Sequence, residues 1–101
     1  MDAAARRLLE SAVAAFPTVA RLVAQLETSD LIVMTAVTMV PGGIAGDVRF
    51  LDATATVRIL QVRVDNRQAP LEQMAWLAHE LQHAVEAAGA PRSVQRSVWP
   101  R

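Results

Sequence analysis

Cysteine is absent from this 101-residue chain, which excludes disulfides, thiolate metal ligands and thiol nucleophiles. Lysine is absent too, because all ten basic residues are arginine. Schiff-base chemistry and a phosphate-loop lysine are therefore excluded. Charge of one sign is missing as well. Ten arginines balance ten acidic residues for a formal net charge of +0, and a phosphate-binding surface needs a positive excess, so no nucleic-acid partner is expected. The longest apolar run, Leu31 to Val40, is interrupted by Thr35 and Thr38 and is about half of the ~20 residues that a spanning helix needs. No transmembrane segment is expected. Glu10 interrupts the N-terminal apolar stretch and Pro17 ends it, so there is no clear signal peptide, and a soluble, cytoplasmic protein is the default expectation.

What is present is apolar residues, at 52% of the chain, too many for a disordered polymer. A single domain of this length buries ~65% of its unfolded surface. Nineteen alanines and arginine-only basicity fit the codon bias of a GC-rich bacterial genome, which is a statement about codons and not about chemistry.

Residues 3 to 15 read as a helix whose stripe is Leu8, Leu9, Ala12, Val13 and Phe16. Pro17 breaks it, because the residue before a proline avoids the helical region. Thr18 is the expected N-cap of a second helix running to about Glu27. Leu31 to Val40 fits a strand buried on both faces. Pro41 to Gly46 reads as a hairpin loop. Asp47 to Leu51 is a short strand, and Thr56 to Val64 a third strand with an irregularity near Val57 and Ile59. Pro70 to Ala88 is the clearest helix, with Pro70 at its first position, Glu72 near its positive end, and Gly89 and Pro91 beyond its end. Residues 90–101 read as a loose tail. The fold class expected is α+β: two N-terminal helices, a roughly three-stranded sheet, then the long helix, all in one domain.

Only two histidines occur, and the long helix carries both in the run His79-Glu80-Leu81-Gln82-His83. At ~100° per residue the two rings lie ~40° apart on one side, a turn apart, so both imidazoles reach one ion. Glu80 lies ~100° around from His79, beside the pair, where it can take a proton from a water on that ion. The core face is expected opposite the histidines, on Met74, Leu77, Ala78, Leu81, Ala84, Val85 and Ala88. Trp76, one turn before His79, walls a substrate pocket in one reading and caps the core edge in the other. Arg49, Arg58 and Arg63 read as solvated residues or surface ion pairs.

The stretch Trp76 to Glu86 resembles the active-site helix of zincin metallopeptidases, and the order of helices, sheet and motif helix resembles a minimal zincin domain spanning residues 1–101. The chain is similar to bacterial proteins predicted to be zincins. The resemblance implies a zinc-dependent peptidase acting on peptide or protein substrates, with Zn2+ on His79 and His83 and Glu80 as the catalytic base. It also implies that a strand at the cleft holds the substrate extended, with Thr56 to Val64 as the candidate.

A catalytic zinc needs three protein ligands and an open position. The metzincin extension is missing, since Glu86 and Gly89 stand at its glycine and third-histidine positions, and no Asp, Glu, His or Cys follows Glu86. Three readings stay open: Glu86 as third ligand, an upstream acid such as Asp47, Asp52, Asp65 or Glu72, or a fragment whose ligand-bearing helix lies beyond Arg101. Iron, manganese or cobalt could replace zinc on such ligands. The competing function is a catalytically incomplete zincin-like domain that binds metal or a partner without turnover.

Overall fold

A computed structural model describes residues 2–90. Two helices, α1 (Ala3–Ala15) and α2 (Pro17–Glu27), precede three strands, β1 (Leu31–Thr38), β2 (Gly46–Ala53) and β3 (Arg58–Asp65), and the chain then enters α3 (Pro70–Gly89). This is the expected α+β arrangement of two N-terminal helices, a three-stranded sheet and a C-terminal helix. The expected loose tail lies outside the described residues from position 91 onward.

Local chemistry fixes the helix ends. Asp2 caps α1 by accepting the Ala5 N–H at 2.8 Å. The second helix begins at Pro17 and not after Thr18, with Phe16 as its extended N-cap residue. Proline is at ease in a first helical position, where its missing N–H would have no intrahelical acceptor. Pro70 opens α3 in the same way, and the Glu72 carboxylate accepts the Ala69 N–H at 3.2 Å.

The sheet order is β1-β3-β2, with β1 parallel and β2 antiparallel to β3. Residues 41–46 are therefore no hairpin loop, because β1 and β2 do not pair. Pro41–Gly43 is a 3-10 turn in which Gly42 and Gly43 take φ of 81° and 72°, a left-handed region that favours glycine. The true hairpin joins β2 to β3, where Thr54 N–H donates to the Val57 carbonyl at 2.8 Å. The irregularity expected near Val57 and Ile59 falls on the partner strand instead, between Phe50 and Asp52.

All three helices lie on one face of the sheet. That face carries Leu31, Val33, Thr35 and Val37 from β1, Val48 and Phe50 from β2, and Leu60, Val62 and Val64 from β3. Leu8 and Ala12 of α1, Val19, Leu22 and Leu26 of α2, and Leu77, Leu81 and Ala84 of α3 close over it. Each fully buried Leu or Val in this layer stabilises the fold by ~1.5–3 kcal/mol. Among the described residues nothing covers the other face. Ile32 and Met34 are 48% and 44% exposed, so β1 is buried on one face only, contrary to the expectation from its largely apolar composition.

Two polar clips lock the ends of the central strand. Arg58 is not a solvated strand residue, being only 2% exposed. Its guanidinium grips Asp30 through two N–H donors (2.9 and 2.6 Å) and donates to the Ala87, Ala88 and Ala90 carbonyls at the end of α3. The last turn of α3 has no basic residue of its own, so a cation from β3 satisfies its orphan carbonyls. At the other end, the buried Asp65 carboxylate accepts from Arg67 and from the Val40 N–H (3.0 Å), while Arg67 donates to the Val40 carbonyl. These donors, Arg67 first, hold the Asp65 carboxyl below the ordinary carboxylate range.

Candidate metal site on helix α3

Helix α3 packs on β3 and β2 and against α1 and α2. Its buried residues are Leu77, Glu80, Leu81, Ala84 and Ala87. The helix is thus rolled about its axis relative to the expected core face. Met74, Ala78, Val85 and Ala88 are only partly buried, and Glu80 is brought inward. His79 and Trp76 stay exposed, with His83 half-buried at the edge of the contact.

The two histidines converge. Their Nε2 atoms are 3.2 Å apart and the ring centroids 4.7 Å, at an interplanar angle of 88°. Two imidazole nitrogens bound tetrahedrally at ~2.0–2.1 Å from one zinc ion are separated by about 3.3 Å, so the pair already has the required bite. Glu86 is placed differently from a ligand of that ion. Its Oε1 lies 3.2 Å from Nδ1 of His83, on the side of the ring away from His79. A carboxylate only accepts, so in this contact His83 donates its Nδ1–H, and in the neutral ring Nε2 then keeps its lone pair. With His83 in that neutral tautomer the contact between the rings requires the His79 proton on Nε2, and binding a metal through both Nε2 atoms requires that proton to move to Nδ1. Trp76 stands edge-to-face against His79 with centroids 5.2 Å apart, which walls one side of the pair.

Glu80 sits at the seam between α3 and the start of β2, at 4% exposure. Glycine at position 46 makes room for it. A Cβ there would meet Cγ and Oε2 of Glu80 at 3.3 Å and the Arg63 carbonyl oxygen at 2.8 Å. Gly46, expected as the end of a hairpin loop, is instead the first residue of β2. A glycine opening a strand that faces the motif helix is the signal that marked it.

The upstream acids are engaged elsewhere. Asp47 pairs with Arg63, and that hydrogen bond, opposed by partial burial, raises the Arg63 pKa. Asp65 holds Arg67, Glu72 caps α3, and Asp52 accepts the Ala53 N–H. Among the described residues no group of three or more His, Asp or Glu side chains is arranged to hold a metal ion. The strand expected to bind substrate is also relocated. Thr56 to Val64 falls mostly within β3, whose two edges are taken by β1 and β2, so it has no backbone free for a peptide.

Compared with known proteins, the chain matches no family model, no curated protein sequence and no solved structure.

Proposed function

We propose that this chain is a zinc-dependent hydrolase of the peptidase type, centred on the His79–His83 turn of α3. The observation that carries the reading is the 3.2 Å separation of the two Nε2 atoms, a ready bite for one tetrahedral ion beside a carboxylate at the next helical position. Zinc held there would supply Lewis acidity toward a water and a substrate carbonyl. His79 and His83 bind the ion, with Glu86 orienting His83. Glu80, ~60° around the helix from His83, takes the proton of the attacking water and returns it to the leaving amine. An extended peptide pairs with the outer edge of β2, the edge strand against which α3 packs, and Trp76 flanks it. A third protein ligand would come from Glu86, swung off His83.

A second reading is favoured by the deep burial of Glu80 and by the two-histidine set: a metal-binding or interaction module without turnover. Zinc stoichiometry and peptide hydrolysis in the parent chain and in His83→Ala, Glu86→Ala and Glu80→Gln separate the two. The hydrolase reading expects stoichiometric zinc, lost in His83→Ala, and turnover lost in Glu80→Gln with zinc retained. Zinc without any cleavage of a peptide library selects the module. Undiminished cleavage in Glu80→Gln removes the proposed base. Zinc lost in Glu86→Ala makes Glu86 a ligand, and zinc retained makes it an orienting residue.

A further inference from the structure

We propose a second, independent binding site under α3, on the side away from the histidines, for a small neutral aromatic molecule carrying one hydroxyl group. A half-open pocket of ≈ 200 Å³ lies between α1, α2 and the covered face of β1, walled by Leu9, Val23, Leu26, Leu31, Val33 and Leu81. Its one buried polar residue is Thr35, at 5% exposure. The Thr35 hydroxyl has no hydrogen-bond partner among the described residues, although its backbone lies in register with Val62 of β3. A buried hydroxyl without a partner is costly, and native structures seldom keep one unless a water or ligand satisfies it. The space suits a ring, since an apolar cavity of ~150 Å³ holds benzene. Apolar walls and a single hydroxyl that both donates and accepts define a phenol-like occupant. The exposed Glu27 carboxylate also lines the cavity and disfavours an anionic one.

The test is NMR titration of the full chain with phenol and, separately, with benzene. The site predicts saturable shifts concentrated on Val23, Val33, Thr35 and Leu81, with phenol bound roughly fivefold more tightly than benzene, the worth of one neutral hydrogen bond. Thr35→Val keeps the shape without the hydroxyl and is expected to bind the two rings equally. Val23→Phe fills the space from α2 and is expected to abolish binding of both. Absence of saturable shifts, equal affinity of the parent chain for the two rings, a phenol preference that survives Thr35→Val, or unchanged binding in Val23→Phe would overturn the proposal.

Discussion

Replacing Arg58 by methionine removes the guanidinium and keeps most of the apolar stem. Five N–H contacts disappear: two to Asp30 and three to the terminal carbonyls of α3. Breaking a buried ion pair by deleting one partner costs ~3–5 kcal/mol, because the other charge is left behind. Asp30 keeps 27% of its side chain in solvent, which sets the expectation at the lower end, about 3 kcal/mol. For a domain of this size that is roughly 10–20 °C in melting temperature. Asp30→Asn leaves the arginine three backbone acceptors and is expected to cost only about 1–2 kcal/mol. Urea unfolding at constant m-value measures both, and amide exchange adds a local readout, since the last turn of α3 loses protection first. A loss under about 1 kcal/mol in Arg58→Met would refute the reasoning, because it would mean that water replaces the guanidinium at no cost.

Three further outcomes are expected. Gly46→Ala places a methyl against the Arg63 carbonyl and Glu80, costs about 1–3 kcal/mol in the same unfolding assay and disturbs the β2–β3 pairing seen by NMR; wild-type stability would mean that Glu80 is not confined there. The lowered pKa of Asp65 means that the folded state binds fewer protons than the unfolded chain in acid. Its stabilising contribution is thus complete above the ordinary carboxylate pKa of about 4 and drains away as the pH falls below it. Asp65→Asn, less stable at neutral pH, should show a flatter acid limb in a pH series of unfolding midpoints. Zinc at about 100 times its dissociation constant should raise unfolding stability by about 2.7 kcal/mol, reversibly on chelation, with no effect in His79→Ala or His83→Ala.

The sequence made α3 and its two histidines legible because both follow from a single helical period, and the Nε2 convergence is a local consequence of four-residue spacing. The environment of β1 was not legible. A largely apolar run such as Leu31 to Val37 reads the same whether helices cover one face or both, and only the number of covering elements decides it. Strand order was hidden for a similar reason: the Pro41–Gly43 turn looks like a hairpin turn until β3 proves to lie between its neighbours. Arg58 looks like a surface residue in the sequence because its acceptors, Asp30 and the carbonyls of Ala87, Ala88 and Ala90, lie about thirty positions away. The inward roll of Glu80 depended on Gly46, a missing side chain on another element, which no periodicity within α3 reveals.

The order β1-β3-β2 also dictates when the sheet can exist. The strand to which both neighbours bind is the last of the three to be synthesised, so neither has a partner until residues 58–65 have been made. The β2–β3 hairpin closes a short loop and forms readily, whereas β1 must be captured across the distance from Leu31 to Arg58, with the larger entropic cost of a longer closure. During translation Ile32 to Val37 therefore wait unpaired on the nascent chain, the interval in which an apolar strand is most open to association with its neighbours.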